Sequence, residues 1–169
     1  MQAEASKITM RAIHQDDAAL YREIRLRGLK LAPDSFGQHY ADEVTKPLQY
    51  WRDVVHRLTT PGGHTAYFLL DGQAPVGVIH GFVRGPQQGS FGGLWIDPGY
   101  RRRGLARRLI ETILQWARAR DLKVMRLWSV DGNQGTLRLY QDFGFRPTGT
   151  HKPLITNPAL TVSQYELTL

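Results

Sequence analysis

Cysteine is missing from all 169 residues, so the chain has no disulfide framework, thiol nucleophile or thiolate metal ligand. Long apolar runs are missing too: the longest are a handful of residues, far short of the roughly 18 that a membrane span requires. The opening MQAEASKITMR lacks the apolar stretch of a secretory leader. No pair among the six histidines has tight metal-ligand spacing, so no metal site is expected. Internal repeats, low-complexity tracts and dividing linkers are also absent. These absences point to one soluble, cytoplasmic domain over residues 1–169, large enough to bury a real core. A 41% hydrophobic and 22% charged composition is that of a globular protein, not a disordered one.

Acidic residues are scarce in one place. The chain carries 22 Lys+Arg against 15 Asp+Glu, a net charge of +7. Residues 99–126 hold nine of the basic residues and only Glu111 and Asp121 as acids, so this segment carries the whole imbalance. Such a cluster attracts nucleic acid, a membrane surface or a phosphorylated small molecule. Nucleic-acid binding calls for cations spread along a groove with exposed aromatics for stacking. Here the cations crowd one short stretch, so neither nucleic acid nor membrane is the expected partner.

Hydropathy patterning orders the elements. Lys7 to Ile13 alternates as a strand, and Asp16 is a candidate N-cap for a helix carrying Leu20, Ile24, Leu26, Leu29 and Leu31. A second helix is expected over about Leu48 to Leu58, with Trp51, Val54, Val55 and Leu58 on one face. Thr65 to Leu70, Pro75 to Val83 and Ser90 to Ile96 read as three strands joined by short turns, hence an antiparallel meander. Val76, Val78, His80 and Phe82 are expected on one face of the middle strand. Leu105, Leu109, Ile113 and Trp116 then recur at helical spacing, broadened by Ile110, Leu114 and Ala117. Val124 to Val130 reads as a buried strand and Asn133 to Phe143 as a helix stopped by Gly144. Two last strands are expected over Phe145 to Thr148 and Val162 to Leu167. The order is β-α-α-β-β-β-α-β-α-β-β, an α/β (α+β) fold with a mixed sheet. Its strand–helix–strand unit over 90–130 requires a parallel crossover.

The basic segment begins where a strand hands over to a helix, at Tyr100-Arg-Arg-Arg-Gly-Leu-Ala106. Gly104 and Ala106 leave the backbone bare, and the first N–H groups of a helix have no internal partners. Together with the helix dipole and the arginines from Arg101 to Arg108, this makes a site for a pyrophosphate. Neither the dinucleotide nor the Walker pattern is present.

Arg101-Arg102-Arg103-Gly104-Leu105-Ala106 resembles the [QR]-x-x-G-x-[GA] signature of the GNAT acyl-CoA-dependent N-acetyltransferase superfamily. The preceding LWIDPGY resembles that family's strand–turn entry, and NQGTLRLYQDFGF, with Asn133 and Tyr140, its downstream segment. The resemblance implies a GNAT-like fold with splayed central parallel strands. It also implies acetyl-CoA as cosubstrate without a metal, and transfer of acetyl to a primary amine of a small molecule by direct attack. Arg101, Arg102, Arg103, Gly104, Leu105, Ala106 and Arg107 would then form the pyrophosphate cradle, with N–H groups from Arg102 to Arg107. Leu94, Trp95 and Ile96 would lie along the pantetheine arm, bonded through the main chain of Leu94 and Ile96. Asn133 would hydrogen-bond that arm, and Tyr140 would protonate the departing thiolate. Two other readings remain open: a non-catalytic acyl-CoA sensor of the same fold, and an acetyltransferase of N-terminal peptides. An exposed C-terminal hairpin leaves room for a homodimer.

The general base is not given by the pattern. Some family members carry a Glu eleven residues ahead of the motif, where this chain has Ser90. A serine cannot serve as a base at neutral pH, so His80, Asp131 and Glu43 are the remaining candidates. His80 also reads as a packed strand histidine, Asp131 as a helix cap and Asp97 as a turn cap. Phe36, Tyr40, Glu43 and His80 are candidates for the acceptor site, with the stretch His151 to Asn157. Trp95 and Trp128 read as core.

Overall fold

The computed structural model describes residues 8–169, so Lys7, the first residue of the expected opening strand, lies outside the described residues. Seven strands form one mixed sheet: β1 (Ile8–Ala12), β2 (His64–Asp71), β3 (Ala74–Gly85), β4 (Gln88–Ile96), β5 (Val124–Val130), β6 (Arg146–Leu154) and β7 (Asn157–Thr168). Their spatial order is β1-β2-β3-β4-β5-β7-β6. Five helices connect them: α1 (Ala18–Leu31), the single turn α2 (Tyr40–Glu43), α3 (Leu48–Thr59), α4 (Leu105–Ala119) and α5 (Gln134–Asp142). Every pairing is antiparallel except β4 with β5, which run parallel on either side of α4. The expected crossover is thus present, and the last two strands are longer than their hydropathy suggests.

The sheet separates two apolar layers. On one face α4 buries Leu105, Leu109, Ile110, Ile113, Leu114 and Ala117 against Leu69, Ile79, Met125 and Leu127. On the other, α1 and α3 bring Ile24, Leu29, Trp51 and Val55 onto Phe68, Leu70, Val78 and Trp95. The expected alternation along β3 breaks at Val76. A register shift opposite Leu69 and Leu70 turns Val76 to the α4 face, while Val78 stays on the α1 face.

Asp16 does not cap α1. The N-cap position belongs to Asp17, and its carboxylate is engaged elsewhere, accepting from both Nη atoms of Arg11 at 2.6 and 2.9 Å and from the His14 N–H at 2.7 Å. A bidentate guanidinium contact outbids a cap, because charge-assisted bonds are the stronger ones.

A second irregularity shapes the centre of the sheet. Val78 pairs with Trp95 and His80 with Gly92, so Gly93 and Leu94 both face Ile79 across a bulge. Gly93 takes φ +63°, and a Cβ built there would fall 2.5 Å from His80 Nδ1. The His80 ring is itself packed against Tyr21, with centroids 5.5 Å apart, and cannot swing away freely. Both the backbone and the space therefore call for glycine. Gly93→Ala is expected to lower unfolding stability by about 3 kcal/mol, from left-handed strain plus overpacking. Urea unfolding checks this, and an unchanged midpoint would contradict the bulge geometry.

Candidate active site

β4 and β5 are paired over three rungs only, Gln88–Val124, Gly89–Met125 and Ser90–Arg126. Beyond Ser90 the strands part, and the edge of β4 that faced β5 loses its strand partner. A cavity of about 290 Å³ opens in the gap, lined by Phe91 to Leu94 of β4 and Leu127 to Val130 of β5. Phe36, Lys152 and Ile155 border it, and from α5 come Asn133, Thr136 and Tyr140.

A second cavity lies at the start of α4, lined by Ile96, Tyr100, Arg101, Arg102, Gly104 to Arg107, Gly135 and Leu139. Gly104 is the N-cap, in the left-handed region at φ +72°, and the first helical bond runs from the Arg108 N–H to the Gly104 carbonyl. The backbone N–H groups from Arg102 to Arg107 have no acceptor among the described residues. Free donors at a helix start are the kind of group that an anion can satisfy. A Cβ on Gly104 would meet nothing within 4 Å, so the space above the cradle is open.

Three of the arginines are already engaged by the protein. Arg101 Nε donates to the Ile96 carbonyl at 3.0 Å, and Arg103 Nη2 to the Gly99 carbonyl at 3.1 Å. Arg107 pairs with Asp142 at 2.9 Å and stacks over Phe143. These contacts brace the turn; Tyr100 adds another by donating its hydroxyl to Asp71. Asp97 accepts from the Gly99 N–H at 3.0 Å, the turn cap expected of it, and also pairs with Arg27.

α5 borders both cavities, presenting Gly135 and Leu139 to the cradle and Asn133, Thr136 and Tyr140 to the cleft. The helix is capped by Asn133, whose Oδ1 accepts from the Thr136 N–H at 3.3 Å. Asp131, read from the sequence as a cap, stands ahead of it. Tyr140 is buried edge-on to Phe91 and Phe145, with centroids 5.9 and 6.1 Å away. Burial alone drives its pKa far above the ordinary phenol value, because no group is placed to favour the phenolate. Its hydroxyl is therefore a neutral donor throughout the physiological range.

The other expected site residues fall in different places. Trp95 is core: its ring packs 3.4 Å from where a Cβ on Gly28 would sit. Trp128 is not core. It is 40% exposed at the rim of the cleft, on the opposite strand face from Leu127. Phe36 is buried and lines the cleft, with the Arg25 guanidinium 4.4 Å over its ring. Tyr40 lines neither cavity and lies near Lys30. Glu43 lines an adjoining groove with Asp42, His39 and Lys46, and after burial its proximity is what raises the Tyr50 pKa. The stretch His151 to Asn157 contributes Lys152, Pro153, Leu154 and Ile155 to the cleft, whereas Ser129 was signalled by neither motif nor periodicity.

His80 is buried, and its Nε2 has no partner. Burial chiefly, with the nearby Arg25 charge, lowers its pKa from 6.5 to about 3. A histidine held neutral in this way is a poor base. It also makes stability depend on pH. Between about pH 6.5 and pH 3 the unfolded chain protonates this ring and the folded one does not. Its contribution is therefore complete above pH 6.5 and lost as pH falls toward 3, at up to about 1.4 kcal/mol per pH unit. His80→Gln is expected to flatten the fall in melting temperature between pH 7 and pH 5; equal slopes would show that the ring charges freely.

The described residues hold no cluster of three or more His, Cys, Asp or Glu able to bind a metal ion. No described helix is long and apolar enough to cross a membrane.

Solved structures share this architecture at low identity. A GNAT-family acetyltransferase from Streptococcus pneumoniae aligns with TM-score 0.82 and 18% identity, over 96% of this chain and 100% of its own. A ribosomal-protein-alanine N-acetyltransferase from Brucella melitensis aligns with TM-score 0.78 and 15% identity, over 95% and 99%. Spermidine N-acetyltransferase from Vibrio cholerae, in complex with CoA and spermine, aligns with TM-score 0.75 and 16% identity, over 96% of each chain. No curated protein sequence matches. The acetyltransferase (GNAT) family model matches residues 26–145, which span the cradle, the parted strands and Tyr140. With that match over most of its length, the chain belongs to the GNAT acetyltransferase family.

Proposed function

We propose that the chain transfers an acetyl group from acetyl-CoA to a primary amine of a small molecule. The observation that carries this reading is the pair of cavities along α5: one walled by free backbone N–H donors, the other by the unpaired edge of β4 and by Tyr140. A ligand with a pyrophosphate and a long amide-bearing arm meets both. The GNAT-family match, and the CoA in the Vibrio cholerae neighbour, agree with that ligand.

Acetyl-CoA supplies the acetyl group already activated as a thioester. The chain's residues do the rest. The N–H groups from Arg102 to Arg107 hold the pyrophosphate. The free edge of β4 from Phe91 to Ile96 pairs with the arm as a neighbouring strand would. A backbone N–H near Leu94 polarises the acetyl carbonyl. The acceptor attacks as a free amine, after its ammonium proton has left to water in the cleft. The C–N bond then forms, the C–S bond breaks, and Tyr140 donates its proton to the departing sulfur. The cleft that disfavours phenolate also disfavours thiolate, so a buried donor suits that step. The nitrogen, now carrying one proton too many, gives it to water, and through that water Tyr140 recovers the proton it gave to sulfur. Positioning supplies much of the rate, and no covalent enzyme intermediate is required, in keeping with a chain without cysteine.

Free-thiol release from acetyl-CoA, against polyamines, amino acids, aminoglycosides and N-terminal peptides, tests the reading. Turnover with a small amine supports it. Turnover with peptides alone makes the chain a peptide acetyltransferase. Tight CoA binding with no turnover makes it a sensor.

A further inference from the structure

The charge around the cleft is one-sided. Of the nineteen residues bordering it, none is acidic and one, Lys152, is charged. Lys152 sits on β6 at the rim, its Nζ 4.3 Å from the centre of the Trp128 ring. Behind the wall made by Phe36, Arg25 adds a second positive charge. Its Nη2 donates to Gln38 at 2.7 Å, its Nη1 is sealed without a partner, and no carboxylate pairs with it among the described residues. The rim is also apolar: Trp128 is 40% exposed and Ile155 79% exposed, two large surfaces left in water beside a cavity. A polycation finds no counter-charge in the lining itself. Acids stand outside the lining: Asp34 and Asp131 adjoin Ser35 and Val130, with Asp34 accepting from Asn157 at 3.2 Å, and Asp42 and Glu43 share the adjoining groove with His39 and Lys46.

We propose that the acceptor is an amino-carboxylate with an apolar or aromatic side chain, such as a hydrophobic α-amino acid. Lys152 takes its carboxylate, and Trp128 and Ile155 take its side chain. The inference rests on the acetyl-transfer reading above. The reaction is the one already written, and its product is the N-acetyl amino acid, CoA and one proton. Lys152 acts as the specificity-determining residue; it does not touch the reacting atoms.

The test compares L-phenylalanine and L-leucine with their amides and with putrescine, at saturating acetyl-CoA, by thiol release. The amine of an amide is less basic than that of the free acid and so more of it is reactive. A preference for the acid therefore reports the carboxylate. The acids are expected to exceed their amides about tenfold in kcat/KM, chiefly through KM, as a charge-assisted contact predicts. Lys152→Glu should remove that preference and raise turnover of putrescine, while Lys152→Arg retains the preference. Equal or better turnover of the amides or putrescine by the unaltered chain overturns the proposal, as does a preference that Lys152→Glu leaves intact. If no amine releases thiol, the acetyl-transfer reading fails, and calorimetry on the CoA-bound chain decides the inference separately. Amino-acid binding that Lys152→Glu abolishes sustains it, and absence of amino-acid binding overturns it.

Discussion

Gly104→Glu is expected to weaken acetyl-CoA binding by at least a hundredfold, about 3 kcal/mol. The new side chain enters open space, so it meets no neighbour in the protein. Left-handed backbone at φ +72° costs a non-glycine residue about 1–3 kcal/mol. A carboxylate at a helix N-terminus is otherwise favourable, because it answers the same free N–H groups and the same dipole. The variant therefore folds, and its own carboxylate occupies the place of the phosphate oxygens. Gly104→Ala carries the strain without the charge and should lose far less affinity. Calorimetry with acetyl-CoA separates the two; if the glutamate variant binds like the unaltered chain, the pyrophosphate is held elsewhere.

Tyr140→Phe is expected to lower kcat by about a hundredfold, the lower range for a positioned proton donor, with acetyl-CoA affinity within about twofold. The hydroxyl has no hydrogen-bonding group of the protein acting on it, and the ring packs on Phe91 and Phe145. Removing it leaves no buried group unpaired, so the melting temperature should stay level or rise. The raised pKa adds a second check. The phenol keeps its proton beyond pH 10, so any activity limb below that pH belongs to another group. Unchanged turnover in the phenylalanine variant would assign the sulfur's proton to water.

The order of elements was legible because each carries one dominant period. α4 shows this best: its apolar residues at spacings of three and four are the ones buried. The open helix start at Gly104 was legible for a related reason, since bare backbone and a helix start are both local properties. What escaped detection depends on distant neighbours. Asp17, not Asp16, takes the N-cap position because the helix begins one residue later, and its carboxylate is drawn to Arg11 on β1. Trp128 reads as core from its strand, and it would be core if a helix covered that face of β5. α1 and α3 stop short of it, and Lys152 covers it instead. Val76 left its expected face through a bulge that its own hydropathy does not encode. Lys152 lay within the stretch His151 to Asn157 expected at the acceptor site, but its standing as the one charged residue of the lining depends on which distant segments meet there.

The three rungs between β4 and β5 have a thermodynamic consequence. The sheet consists of two antiparallel portions, β1–β4 and β7–β6 with β5, sewn together at one end and braced by α4. A molecule whose arm completes the ladder would share backbone pairing with the fold itself, so binding and unfolding become linked equilibria. At a hundred times its dissociation constant, such a ligand adds about 2.7 kcal/mol to the unfolding free energy. Amide exchange should slow most from Phe91 to Ile96, where the seam gapes.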